Sequence, residues 1–201
     1  MKQFEEKKFN LGELKGISQK TIEEHLKLYA GYVKNTNSIL ERIPDYLQWA
    51  EKDPFVTYFT GELQRRFGFE YDGMRNHEIY FDSLSDGSAK IVKDGPLQKA
   101  IIEEWDSFDR WLTQFKTLAM TRGVGWAILY FDKKEMRLLN AYVGDHELGQ
   151  LVGCTPILAL DMWEHAFVAD YQPSGKKDYV NDFFLNLNWD KIERNLDMAS
   201  K

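Results

Sequence analysis

The spacing of apolar residues divides the chain into a helical first half and a mixed second half. Apolar positions recur at helical intervals from residue 17 to about residue 49, and Ser18 is suited to cap the start of this helix. A second helical stretch covers roughly residues 56–84. We expect Pro44 to interrupt the first helix, because proline lacks the backbone N–H that a helix uses. The first half therefore predicts two long helical segments.

The second half predicts one amphipathic helix, three strands and two short terminal helices. The amphipathic helix covers about residues 97–118. The first two apolar runs of strand length flank a polar Asp-Lys-Lys-Glu segment, which is typical of a hairpin, and the third run ends directly at Asp161. The three runs span residues 125–131, 136–142 and 156–160. The terminal helices are expected near 177–185 and from residue 189 onward.

A small, polar and turn-prone segment, Ser85-Asp86-Gly87-Ser88, separates the two halves. We therefore expect an N-terminal domain of residues 1–86 and a C-terminal domain of residues 87–201. The chain has 201 residues, 43% of them hydrophobic, which is enough for a real core. The predicted fold class is α+β, with an N-terminal antiparallel helical hairpin followed by a C-terminal α/β domain with a three-stranded antiparallel sheet.

Composition narrows the range of partners and of metal ligands. A net charge of −6 argues against nucleic acid as a general partner. No run approaches 18 apolar residues and the N-terminus lacks an apolar signal region, so we expect no membrane association and a cytoplasmic location. Cys154 is the only cysteine, which excludes an intrachain disulfide and a thiolate-rich metal cluster. Any bound metal would need nitrogen and oxygen ligands.

The segment Asp161-Met162-Trp163-Glu164-His165-Ala166-Phe167 carries the strongest chemical signal in the chain. On a helix, Asp161 and His165 would project from the same face, one turn apart, and could hold one metal ion between them. Such a pair is common by chance, so the spacing alone leaves metal binding open. The full segment resembles the Asp-x-Trp-Glu-His-Ala-Tyr signature of the iron/manganese superoxide dismutases.

Two further histidines fall in segments that resemble other parts of this family's pattern. His25 ends Thr-Ile-Glu-Glu-His, which is similar to the first family helix, and His77 lies in Asn-His-Glu-Ile-Tyr-Phe, like the family's Asn-His-x-x-Phe-Trp. The resemblance runs from about residue 15 to residue 196. It implies one Fe or Mn ion per subunit, bound by His25, His77, Asp161 and His165. Three imidazoles and one carboxylate suit either metal and leave a fifth position for solvent.

The sequence departs from the family pattern near the expected gateway tyrosine. The family's tyrosine lies eight residues after the first ligand, whereas Tyr32 lies seven after His25. A regular helix returns to the same face at the seventh position, so Tyr32 can still face the metal. Tyr29, at the fourth position, is the alternative. We favour Tyr32, because Tyr32-Val33 matches the family's Tyr-Val.

A second departure concerns the group that hydrogen-bonds the metal-bound solvent. Asp145-His146-Glu147 stands where manganese members of the family carry Asn-Gln-Asp, so His146 replaces the usual glutamine. Gly73 leaves room for a donor from the second domain, since iron members place their glutamine at that position. We expect His146 to be a neutral ring with its N–H aimed at the bound solvent, its pKa lowered by the nearby metal.

Other residues complete the implied surroundings of the site. Gly-Val-Gly-Trp-Ala resembles the family's Gly-Ser-Gly-Trp-Ala, which makes Trp126 part of the pocket wall, as is Trp163 of the signature. In the family, the glutamate equivalent to Glu164 reaches the partner subunit's equivalent of His165, so the resemblance implies a homodimer, or a tetramer. Phe167-Val168 stands where Tyr-Tyr is usual, and the first helix has no second histidine.

The resemblance implies a superoxide dismutase that converts superoxide to oxygen and hydrogen peroxide, with Tyr32 and His146 as the candidate catalytic residues. Since the protein is acidic, attraction of the anionic substrate must be local, and the candidate lysines are Lys27, Lys34 and Lys176. Two alternatives remain. One is a different mononuclear metalloenzyme, such as a non-haem iron oxygenase. The other is a non-catalytic scaffold on the same fold.

Overall fold

Two long helices form a hairpin at the N-terminal end of the chain. The computed structural model describes residues 2–50 and 52–201. Helix α1 (Gln19–Ala50) packs against helix α2 (Pro54–Leu84). Ser18 Oγ accepts a hydrogen bond from Thr21 N at 3.2 Å, as predicted for the cap of α1. Asp53 caps α2 in the same way, and Pro54 occupies its first turn, where a missing N–H costs nothing.

The expected break at Pro44 is wrong. Helix α1 continues through Pro44 to Ala50. A proline inside a helix frees the carbonyl one turn earlier, and this costs least where water can reach that carbonyl. Pro44 is exposed, so solvent can satisfy the freed group.

The single helix predicted at 97–118 is two helices, α3 (Pro96–Trp105) and α4 (Phe108–Ala119). Asp106 ends α3 in the left-handed conformation with φ 63°, which a helix cannot continue. Ser107 then caps α4, its Oγ accepting from Arg110 N at 3.2 Å. The apolar spacing is continuous across this break, which is why the pattern alone did not reveal it.

The three predicted strands form one antiparallel sheet in the order β2-β1-β3. The central strand β1 (Gly125–Asp132) forms the predicted hairpin with β2 (Arg137–Gly144) and pairs on its other side with β3 (Cys154–Asp161). The register places Trp126 directly opposite Asp161. Strand β1 is buried over nearly its whole length, as a central strand covered on both faces should be.

The C-terminal segment consists of short helices that close over the sheet. A 3₁₀ turn (Glu164–Ala166) leads into α5 (Val168–Tyr171), and after a second 3₁₀ turn come α6 (Lys176–Asn186) and α7 (Trp189–Ser200). None of the described helices combines the length and apolar character needed to cross a bilayer. The predicted fold class, a helical hairpin followed by an α/β domain with three antiparallel strands, is confirmed.

The core joins both halves of the chain. Helix α2 packs against β3, and one continuous apolar cluster includes Phe81 and Leu84 from α2 together with Leu158 and Leu160 from β3. The division at residue 86 therefore stays a prediction. The chain does turn there, with Asp86 at φ 62° followed by a glycine of positive φ.

Candidate metal centre

Four side chains from four separate elements meet in the interior. His25 comes from α1, His77 from α2, Asp161 from the end of β3 and His165 from the 3₁₀ turn that follows. One ligand atom of each lies within 4.8 Å of the others. The first three are buried, and the side chain of His165 is 21% exposed. All four residues of the expected ligand set are thus brought together.

The local structure of the Asp161–His165 pair differs from the prediction. The two residues do not share a helix face, since Asp161 is the last residue of β3 and His165 lies in a 3₁₀ turn. Trp163 N donates to Asp161 Oδ1 at 2.7 Å and tightens the chain reversal. This turn brings His165 Nε2 to 3.2 Å from Asp161 Oδ2. The two side chains come together as expected, but a strand end and a turn position them.

The geometry of the other two histidines tests whether the site fits a metal. Nε2 of His25 lies 3.1 Å and Nε2 of His77 3.6 Å from Asp161 Oδ2. His77 Nδ1–H donates to the Gly73 carbonyl at 2.6 Å, which leaves the lone pair of Nε2 pointing inward. Among the described residues, this buried Nε2 has no hydrogen-bond partner. An unsatisfied buried polar atom costs about 1–3 kcal/mol, and a metal ion would satisfy it.

The charges of the cluster also favour a cation. Burial lowers the pKa of His25 and lowers the pKa of His77 well below its usual value. Both rings are therefore neutral, and each can offer a nitrogen lone pair to a metal ion. Burial raises the pKa of Asp161, but its interactions with His165 and His25 outweigh burial and hold this pKa far below its ordinary value. A buried carboxylate facing imidazole nitrogens is costly without a cation, so the donor set fits a divalent or trivalent metal.

Next to the ligands, His146 links Trp126 to Tyr32. Trp126 Nε1–H donates to His146 Nδ1 at 2.9 Å, and His146 Nε2 lies 2.8 Å from Tyr32 Oη. Indole N–H is only a donor, so Nδ1 must be the acceptor and Nε2 must carry the ring proton. His146 Nε2–H therefore donates to Tyr32 Oη. The hydrogen of the Tyr32 hydroxyl remains free for another acceptor.

The structure agrees with a neutral His146. Burial of the ring lowers the pKa of His146 to about 4. At pH 7 the ring is then neutral. Burial likewise raises the pKa of Tyr32, which keeps its hydroxyl protonated.

Two amides that the sequence reasoning missed hold His146 in place. Asn76 Nδ2 and Gln150 Nε2 both donate to the His146 carbonyl, at 3.3 Å and 3.0 Å. Tyr130 Oη in turn donates to Gln150 Oε1. Asn76 directly precedes the ligand His77 and was visible in the motif, but no spacing rule connects Gln150 to the site.

Because Gly73 has no side chain, the rings of Tyr32 and His146 lie close to its backbone. A Cβ at this position would lie 2.9 Å from Cδ1 of Tyr32 and 3.1 Å from Cδ2 of His146, closer than packed carbon atoms allow. Tyr29 points elsewhere: its hydroxyl accepts from Lys7 N at 2.9 Å and faces Glu78. The structure thus places Tyr32, and not Tyr29, beside His146.

Aromatic rings enclose the rest of the site. Trp163 stacks on His146 and on His165 at centroid distances of 4.9 Å and 5.7 Å. Phe69, which the sequence reasoning did not single out, packs edge-on against His146 at 4.5 Å. Glu164 lies exposed on the 3₁₀ turn. His146 is fully buried, and the packed rings fix its orientation.

Replacing Gly73 with alanine should destabilise the protein, although the same change elsewhere in α2 stabilises it. Helix propensity favours alanine by about 1 kcal/mol, but the added Cβ overpacks Tyr32 and His146 at a cost of about 1–3 kcal/mol. Gly61→Ala is the matched control, since nothing lies within 4 Å of a Cβ there. Urea unfolding should show a lower free energy of unfolding for Gly73→Ala and a higher one for Gly61→Ala. Equal gains in both variants would contradict the packing described.

Comparison with known proteins agrees with this site. The family model described as iron/manganese superoxide dismutases, C-terminal domain, matches residues 93–195. A superoxide dismutase [Fe] of Cupriavidus metallidurans is 35% identical over 89% of this chain and 87% of its own length. A superoxide dismutase [Fe] of Aquifex pyrophilus is 33% identical, covering 94% of this chain and 88% of its own length. A superoxide dismutase [Mn] of Mycobacterium intracellulare is 34% identical, covering 85% and 79%. The chain belongs to the iron/manganese superoxide dismutase family.

Proposed function

We propose that this protein is a superoxide dismutase with one Fe or Mn ion bound by His25, His77, Asp161 and His165. The observation that carries the proposal is the convergence of these four side chains in a buried cluster whose His77 Nε2 lone pair points inward. When bound, either metal supplies the one-electron couple through which one superoxide is oxidised to oxygen and a second, with two protons, is reduced to hydrogen peroxide.

The residues around the cluster are suited to deliver protons without charging the site. Tyr32 Oη accepts from His146 Nε2–H, so its own hydrogen can be donated to a reduced oxygen species next to the metal. Because the pKa of Tyr32 is raised and that of His146 is lowered, both groups stay neutral at pH 7. Tyr32 is therefore the proton donor at the site, and His146 positions it.

The two alternative functions have less support. An oxygenase needs space beside its metal for an organic substrate, but Trp126, Trp163 and Phe69 fill the surroundings of His146. A large groove of about 950 Å³ exists, but none of the four metal ligands lines it. A scaffold protein has no need of a complete ligand set, and this chain keeps all four residues. The expected cytoplasmic location stays a prediction.

Metal content and activity test the ligand assignment together. The wild-type protein, reconstituted separately with Fe and with Mn, should consume superoxide at a rate proportional to bound metal. His77→Ala removes one of four ligands and should lose most of the metal and nearly all activity, measured by elemental analysis and a superoxide assay. Asn188→Ala, a buried polar change at the start of α7, provides a control for general damage. Full metal content in His77→Ala would refute the ligand set.

His146 should affect the reaction without holding the metal. His146→Gln keeps a donor for Tyr32 and should retain metal while shifting the reduction potential, and with it the ratio of Fe to Mn activity. His146→Ala removes the donor to Tyr32 and should retain metal but lose activity about ten- to hundred-fold. Redox titration and activity per bound metal provide the readouts. If both variants match wild type with each metal, His146 has no role in the reaction.

A homodimer completes the proposal, because Glu164 is exposed directly before the ligand His165. A partner subunit's glutamate reaching His165 would orient this ring and support the metal site. Glu164→Ala should therefore raise the dimer dissociation constant and lower metal retention together, as measured by sedimentation and by metal analysis after dialysis. Glu193→Ala on α7 is a control carboxylate outside this surface. A wild-type protein that is monomeric at micromolar concentration and fully active would contradict the role.

A further inference from the structure

An arginine lies one aromatic ring away from the Tyr32–His146 pair. The guanidinium of Arg66 stacks on Phe69, with Cζ 3.4 Å from the ring centroid. The Phe69 ring packs in turn against His146 at 4.5 Å and against Tyr32 at 6.2 Å. Arg66 and Phe69 are three residues apart on α2, so one helix face carries both towards the site.

Hydrogen bonds hold the guanidinium over this ring while leaving it open to solvent. Arg66 Nε donates to Glu70 Oε1 at 3.3 Å, and Glu70 Oε2 accepts from Asn35 of α1 at 3.2 Å. The Arg66 side chain is 48% exposed, whereas that of Glu70 is 9% exposed. The carboxylate of Glu70 is thus buried, whereas the guanidinium of Arg66 faces the solvent. Among the described residues, no second hydrogen bond to this guanidinium is found.

The charge of Arg66 acts on the residues of the site. An arginine side chain is a permanent cation. Burial raises the pKa of Tyr32 and lowers that of His146; the charge of Arg66 lowers both, while the charge of its partner Glu70 raises the pKa of Tyr32. The stacking geometry places the guanidinium one ring away from Tyr32 and His146.

The lysines that the sequence suggested for attracting an anion are less suited to the task. Lys27 pairs with Glu24 at 2.7 Å, and both side chains are exposed. Lys176 Nζ donates to the Thr121 carbonyl at 3.1 Å, and Lys34 is an exposed residue of α1. None of the three stacks on a ring that contacts His146 or Tyr32.

We propose that Arg66 is the residue that draws the superoxide anion towards the partly exposed Tyr32. The inference rests on the proposed function and adds the group that positions the substrate on approach. The net charge of −6 repels an anion at long range, so a cation near Tyr32 has to counteract that field locally. Because Arg66 is half-exposed, its attraction is screened by salt over a Debye length of about 10 Å at 0.1 M ionic strength.

Three variants of the metal-loaded protein separate charge from packing. Arg66→Met removes the charge and keeps an apolar contact with Phe69, and Arg66→Lys keeps the charge. Arg65→Met removes the neighbouring arginine, whose exposed side chain pairs with Glu62 at 2.9 Å. Superoxide decay is followed by stopped flow from about 0.01 M to about 1 M ionic strength, and kcat/KM is expressed per bound metal.

Arg66→Met should lower kcat/KM about two- to five-fold at low ionic strength and by little at high ionic strength, with kcat unchanged. Arg66→Lys and Arg65→Met should stay close to wild type. Azide provides a readout that does not depend on turnover. Its dissociation constant, from optical titration of the bound metal, should rise in Arg66→Met by a similar factor at low salt only.

Two results would overturn the inference. One is an Arg66→Met protein with wild-type salt dependence and wild-type azide affinity. The other is an Arg66→Lys protein whose kcat/KM falls as far as that of Arg66→Met. That result would mean that stacking on Phe69 matters and charge does not. A wild-type holoprotein that fails to consume superoxide would instead refute the proposed function, and the azide titration would still report on Arg66.

Discussion

The buried carboxylate of Asp161 is the constraint on which the rest of the structure depends. Its Oδ2 lies 3.1 Å, 3.2 Å and 3.6 Å from Nε2 of His25, His165 and His77. Burial keeps the two fully enclosed histidines neutral, so the buried carboxylate faces their nitrogen lone pairs in an arrangement that a cation would stabilise. Since these ligands belong to α1, α2 and the end of β3, the hairpin and the sheet are joined at this point. Metal binding is therefore coupled to the packing of the two halves, and replacing a ligand affects both.

The sheet register connects Asp161 to the hydrogen-bonded pair of His146 and Tyr32. Trp126 on β1 is paired directly with Asp161 on β3, so a single strand pair positions both a ligand and the donor that orients His146. On the other side, the absence of a side chain at Gly73 lets Tyr32 and His146 occupy the space above α2. The same glycine's carbonyl accepts from His77 Nδ1. Gly73 thus fixes the tautomer of His77 and also leaves room for Tyr32 and His146.

Sequence reasoning recovered the parts of the site that motifs encode and missed those that tertiary packing creates. The four ligands and the pair of Tyr32 and His146 were visible because each falls in a short segment of recognisable composition. The break between α3 and α4 was missed, because Asp106 in the left-handed conformation leaves no trace in the apolar pattern. The helix expected for Asp161 and His165 was wrong for a related reason: spacing of four residues is equally compatible with a strand end and a 3₁₀ turn. Phe69 and Gln150 contact the site across separate segments of the chain, which no local pattern reports.

An imidazole at His146 makes different hydrogen bonds from the glutamine amide that is usual in the family. A glutamine amide has two N–H donors and can serve a tyrosine and a metal-bound solvent at once, whereas a neutral imidazole has one donor and one acceptor. In this chain both are engaged, Nδ1 by Trp126 and Nε2–H by Tyr32. The expected arrangement, with the His146 N–H aimed at the solvent, would compete with the bond to Tyr32. The single N–H of His146 is thus directed at the tyrosine hydroxyl. Asn76 and Gln150 hold the His146 backbone in the position that these two hydrogen bonds require.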